Sequence, residues 1–145
     1  MIALIQRVTH ARVEVAGETV GAIGPGLLAL IGVEREDAEA NAVRMVERLL
    51  GYRVFQDEDD RMNRSVRDVA GGLLLVPQFT LAADTRKGTR PGFSTAAEPA
   101  RARQLFDHLL GLARAAHPDV ASGRFGAEMH VSLTNHGPVT FRLEA

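Results

Sequence analysis

Two short runs, GLLALIGV at 26–33 and LLLVPQF at 73–79, constrain the fold more than any other part of the chain. Side chains alternate faces along a strand, so a strand that is apolar on both faces must be covered on both. Both runs are too short to be core helices and each follows a glycine-bearing break, Gly24-Pro25-Gly26 or Gly71-Gly72. They predict two buried strands in the middle of a sheet.

The remaining pattern supplies the cover. Asp37 is placed to cap a helix running to about Leu50, with Ala42, Val43, Val46, Leu49 and Leu50 as its apolar stripe and Gly51 as its stop. A second helix begins near Glu98-Pro99, with proline in its first turn. It carries Ala102, Leu105, Phe106, Leu109, Leu110 and Ala113 on one side and ends before Pro118. Residues 2–8 and 11–15 alternate as one long strand, Ala16-Gly17-Glu18 turns it, and Thr19–Ile23 returns. Tyr52–Phe55 is a further strand, followed by an acidic loop at 56–63; residues 82–97 read as an ordered loop. Phe125–Leu133 and Val139–Leu143 read as paired strands joined by a tight turn at Thr134–Pro138. The expectation is one compact α/β domain over 1–145, with about seven strands and two main helices.

Composition removes several functions. The chain has no cysteine, which excludes disulfides, thiol nucleophiles and Cys-based zinc sites. The five histidines, His10, His108, His117, His130 and His136, contain no i, i+4 pair, so no metal site is expected. Ser65, Ser94, Ser122 and Ser132 lack a G-x-S-x-G setting, and there is no phosphate-binding glycine loop. The net charge of −1 argues against a protein that coats a DNA duplex, yet allows a small local nucleic-acid site. The opening residues alternate too regularly for a signal peptide and the longest apolar runs are short of a membrane span, so a cytoplasmic protein is expected.

Two segments carry more information. In VPQFTLAADTRKGTRPGF at 76–93, Pro77 suggests a strand end, beyond which Gln78, Phe79 and Thr80 can turn backbone N–H groups outward. Fixed N–H dipoles suit a developing oxyanion; an ordinary strand end fits these residues as well. Arg86, Lys87 and Arg90 then place three cations within five residues. They read either as a landing site for a nucleic-acid end or as a solvated charge run. In VSLTNHGPVTFRL at 131–143, Asn135, Gly137 and Pro138 are residues of a tight turn, which local evidence leaves as an ordinary connection or a functional one.

Together these segments resemble the signatures of D-aminoacyl-tRNA deacylases. The family's Ser-Gln-Phe-Thr-Leu strand end appears as PQFTL at 77–81, and its Asn-x-Gly-Pro-Val-Thr turn as NHGPVT at 135–140. The opening MIALIQRVTHARVEVAGETVGAIGPGLLALIGVE, the loop KGTRPGF and the strand RFGAEMHVSL resemble the family as well, so the likeness spans the chain. The resemblance implies a barrel-like, mixed or antiparallel sheet with two helices. It also implies a homodimer with sites built across the interface and a tRNA 3′ end as partner, with no cofactor, metal, membrane or DNA. It gives Gly137 and Pro138, as a cis turn, the task of rejecting L-amino acids in the partner's site. Asn135 belongs to that turn, and Arg7 matches an arginine that holds it. Gln78, Phe79 and Thr80 match the strand end that receives the ester and terminal adenosine. Main chain and the tRNA 2′-hydroxyl would do the chemistry, with Thr80 as nucleophile the older alternative. One departure is Pro77, where the family carries serine; a related relaxed-chirality family shares that proline but continues Gln-Ala-Thr-Leu. Phe79 and the intact NHGPVT align this chain with the D-specific group. The competing expectations are a relaxed-chirality editing deacylase and a noncatalytic module that binds the tRNA end.

Overall fold

The computed structural model describes residues 1–145. Strand β1 (Ile2–Val15) is the spine of a mixed sheet, and β2 (Glu18–Ile23) and β3 (Gly26–Gly32) both run antiparallel to it. Strand β3 pairs in parallel with β6 (Gly72–Pro77), which pairs in parallel with β7 (Val120–Ser122). Parallel neighbours need crossovers. Helices α1 (Glu39–Gly51) and α2 (Pro99–Ala116) lie in the β3-to-β6 and β6-to-β7 crossovers. A small hairpin, β4 (Phe55–Gln56) with β5 (Met62–Arg64), stands apart. The sheet nearly closes on itself: a Cβ at Gly21 of β2 would fall on the Ser122 carbonyl of β7, an approach that only glycine permits.

The two buried runs behave as expected. Leu27, Ala29 and Ile31 of β3, with Leu73 and Leu75 of β6, face α1 and α2 in the larger core. Leu28, Leu74 and Val76 point the other way, into a smaller core with Val8, Ala11, Val13 and Ile23. That second core is the inside of the barrel. It makes β3 and β6 apolar on both faces.

Several expectations require correction. The strand expected at Tyr52–Phe55 is only Phe55–Gln56, paired with Met62–Arg64 across the acidic turn, and the strand expected from Phe125 begins at His130. Asp37 does not cap α1. Its carboxylate, only 8% exposed, accepts from the Met1 ammonium at 2.5 Å and the Glu34 N–H at 2.7 Å. The helix begins after Ala38, whose N–H donates to Asn41 Oδ1 at 2.8 Å. The α1 stripe contains Met45 rather than Val43, which is exposed. The C-terminal segments do not pair with each other. His130–Glu144 is one strand, β8, that pairs antiparallel with β1 on both sides of the Gly-Pro motif. Gln6 faces Thr140 and Val8 faces Asn135, so one residue of β1 lies opposite four of β8. The motif is a large bulge, which local turn chemistry cannot distinguish from a hairpin.

Candidate active site

Pro77 ends β6, and its ring has no N–H to extend the ladder. Gln78 still binds the sheet: its N–H donates to the Ile31 carbonyl at 2.7 Å, so this amide is not available to a ligand. Phe79–Ala82 then forms a 3₁₀ turn, tied back where the Leu81 N–H donates to the Gln78 carbonyl at 3.1 Å. Such a turn leaves its first N–H groups without an internal acceptor, here those of Phe79 and Thr80. Both residues are exposed. The Gln78 side-chain amide donates to Thr80 Oγ1 at 2.5 Å, which positions the hydroxyl beside the two amides.

Phe79 is 59% exposed and packs against Phe93, itself 44% exposed, with ring centroids 5.3 Å apart. Pro77, Gln78 and Phe79 form one wall of a mainly apolar cavity of about 440 Å³, with Ala102 and Phe125 also lining it. The first turn of the 3₁₀ segment therefore lies beside the apolar cavity, with Phe79 in its wall and Thr80 next in the chain. That combination can hold an aromatic base next to an acyl group whose oxygen develops charge. The expectations missed Phe93 and Phe125. An exposed phenylalanine in a Gly/Pro loop is the signal that marks Phe93.

The bulge is built just as specifically. Arg7 is 7% exposed; its Nε donates to the His136 carbonyl at 2.9 Å and an Nη1 to the Val54 carbonyl at 2.8 Å. Asn135 Nδ2 donates to the Arg7 and Val139 carbonyls, each at 3.0 Å. A Cβ on Gly137 would fall on Asn135 Oδ1. The Gly137–Pro138 peptide is cis, and both residues are exposed while Val139 is buried in the main core. The tip of the bulge is thus exposed, and its base is anchored to β1 by Arg7 and Asn135.

Along the hydrogen-bonded path β8-β1-β3-β6, two strands lie between the bulge strand and the strand that carries the 78–80 turn. The loop cations also separate into two kinds. Arg86 is held by Asp84 through Nε at 2.9 Å and Nη2 at 2.7 Å, and this pairing holds the Asp84 carboxyl below the usual carboxylate range. Lys87 and Arg90 have no carboxylate partner. Of the histidines, His117 is buried and its Nε2 lies 2.7 Å from the Gly71 carbonyl, where it supports the start of β6.

The family model for D-Tyr-tRNA(Tyr) deacylase matches residues 4–144. A D-aminoacyl-tRNA deacylase of Thioalkalivibrio sulfidiphilus is 67% identical over 99% of this chain and 97% of its own length. One from Stutzerimonas stutzeri is 66% identical, with both chains fully covered. Among solved structures, the c-Myc DNA unwinding element binding protein superposes with a TM-score of 0.95 at 38% identity, covering 100% of this chain and 99% of that one. A probable eukaryotic D-amino acid tRNA deacylase shares the fold, with a TM-score of 0.84 at 18% identity over 99% and 98% of the two chains. With a family match across nearly its whole length and relatives two-thirds identical, the chain belongs to the D-Tyr-tRNA(Tyr) deacylase family.

Proposed function

We propose that this chain hydrolyses the ester of D-aminoacyl-tRNA, and of glycine mischarged on tRNA(Ala), releasing the free amino acid and tRNA. The observation that carries this reading is the exposed start of the 3₁₀ turn, where the Phe79 and Thr80 amides have no acceptor within the turn, beside an exposed aromatic surface and an apolar cavity. In the reaction, water adds to the ester carbonyl and the Phe79 and Thr80 amides receive the oxyanion. The C–O bond to the ribose then breaks, and the departing ribose oxygen takes a proton. One well-aimed oxyanion donor contributes roughly 10²–10³ in rate, so an activated ester needs no protein nucleophile. The terminal 2′-hydroxyl of the tRNA is suited to organise the water.

Selectivity is assigned to a second copy. The exposed Gly137–Pro138 bulge lies two strands from its own 78–80 turn and is anchored at its base by Arg7 and Asn135. In a homodimer it would enter the partner's cavity, collide with an L-substituent and leave room for a D-substituent or for glycine. The protein would act in the cytoplasm, where charged tRNA is used; no helix is long and apolar enough to cross a membrane.

The test is release of amino acid from matched D- and L-aminoacyl-tRNA, with sedimentation to give the oligomeric state. Rapid loss of the D-ester alone, by a dimer, supports the proposal. Equal loss of both enantiomers, or of L-alanyl-tRNA, supports a relaxed-chirality deacylase. Binding of charged tRNA without ester loss supports a noncatalytic module.

A further inference from the structure

The loop between the 78–80 turn and α2 encloses a second cavity of about 440 Å³ with no apolar lining residue: Asp84, Arg86, Lys87, Arg90, Gly92 and Ser94 surround it. Its frame is main chain. The Asp84 N–H donates to the Gly92 carbonyl at 2.8 Å and the Gly92 N–H to the Asp84 carbonyl at 3.0 Å, closing the loop. The next residue, Phe93, packs on Phe79, so the polar cavity borders the aromatic surface of the candidate active site.

We propose that this cavity is a phosphodiester site for the nucleotides next to the terminal adenosine, and that Lys87 and Arg90 serve it while Arg86 does not. The proposal rests on the tRNA-ester reading above. Arg86 makes its main-chain N–H bond and its two-point fork to Asp84 Oδ1 and Oδ2, so its charge is offset by a carboxylate and its Nε and Nη2 are engaged. Lys87 and Arg90 line the same opening without a carboxylate partner, and Ser94 adds a hydroxyl. Phosphate contacts of this kind fix register without reading sequence, so the cavity would align the ester of any tRNA end with the Phe79 and Thr80 amides. Because the main-chain bridge frames the loop, and an exposed ion pair adds little stability, the fork can be removed without collapsing the cavity.

Binding of an uncharged RNA oligonucleotide ending in CCA, followed by fluorescence anisotropy across a salt series, tests the division of roles. Each phosphate contact on a single strand contributes about 0.7 to the slope of log K against log salt. Lys87→Gln and Arg90→Gln should each flatten the slope by about 0.7 and weaken binding several-fold, whereas the paired change Asp84→Asn with Arg86→Gln, which removes the fork and leaves no unpaired charge, should change affinity less than about twofold. Asp84→Asn should act in the opposite direction, releasing Arg86 as a third cation, steepening the slope and tightening binding. In hydrolysis, the ratio of kcat/KM for D-aminoacyl-tRNA to that for D-aminoacyl-adenosine, which has no phosphodiester, should fall for Lys87→Gln and Arg90→Gln. An effect of the Asp84→Asn, Arg86→Gln pair as large as that of Lys87→Gln, or an unchanged slope in all variants, would overturn the proposal. Failure of the wild-type protein to hydrolyse D-esters, with the slope pattern intact, would remove the deacylase reading and leave the phosphate site standing.

Discussion

Arg7 on β1 donates to the carbonyl of His136 at 2.9 Å, linking the spine of the sheet to the residue that precedes Gly137–Pro138. The guanidinium is buried and its second partner, the Val54 carbonyl, lies in the segment after α1. A buried charge satisfied by two carbonyls is costly to replace, since hydrogen bonds to charged groups are worth about 1.5–3 kcal/mol each. Arg7→Ala, which removes both bonds, should lower unfolding stability by roughly 3–6 kcal/mol on that scale. It should also raise L-ester hydrolysis relative to D-ester hydrolysis. Arg7→Lys should recover stability only in part, because one ammonium cannot reproduce the planar fork. Urea denaturation and paired D/L assays provide the check; unchanged D/L selectivity in a folded Arg7→Ala protein would detach Arg7 from the bulge's task.

Gly137→Ala should disturb selectivity more than stability. The added methyl meets Asn135 Oδ1, and Asn135 is the side chain that ties β1 to β8 through the Arg7 and Val139 carbonyls. The bulge is exposed, so the main core is left intact. A melting temperature within a few degrees of wild type, with a D/L ratio reduced about tenfold or more (roughly 1.4 kcal/mol of discrimination), is the expected pair of results.

Thr80→Ala should retain activity within about one order of magnitude, because it removes a hydroxyl and leaves the Thr80 N–H in place. Loss of the Gln78–Thr80 hydrogen bond would account for the decrease. Near-total loss in a folded protein would instead identify the Thr80 hydroxyl as the nucleophile. Phe79→Ala removes the ring that meets Phe93, and should act mainly by raising KM for the tRNA ester.

The Asp84–Arg86 pair has a pH signature. Hydrogen bonds from Arg86 lower the Asp84 carboxyl below its ordinary value. A group whose folded pKa is depressed contributes stability above its unfolded pKa and loses it as pH falls through the folded value. Asp84 is therefore ionised throughout the neutral range, and activity between pH 5 and 8 should contain no step from it. NMR titration should place its midpoint below that of an ordinary aspartate, and Arg86→Gln should move that midpoint upward.

Asp37→Asn should destabilise the fold without altering selectivity. The carboxylate is buried against the Met1 ammonium, and breaking one partner of a buried pair typically costs about 3–5 kcal/mol. Glu34 also reaches that ammonium, at 2.9 Å but half exposed, and should keep the loss near the lower end. A loss below about 0.5 kcal/mol, the scale of ordinary surface changes, would show that the pair is worth no more than an exposed one.

What the chain determined alone was local and periodic. The runs at 26–33 and 73–79 required cover on both faces, and the two cores provide it. The apolar side of α2 was legible because it repeats at the helical period. The PQFTL and NHGPVT motifs were legible as signatures but not as geometry. Only the tertiary structure decided that 130–144 is one strand along β1, since a bulge and a hairpin use the same turn residues and differ only in their pairing partner. It also decided that Asp37 serves the Met1 ammonium instead of α1, and that Gln78 binds the sheet while Phe79 and Thr80 open an exposed 3₁₀ turn. Among the three loop cations, it decided which one already has a carboxylate. Each of these depends on which distant groups share a few ångströms, and spacing along a chain does not encode that.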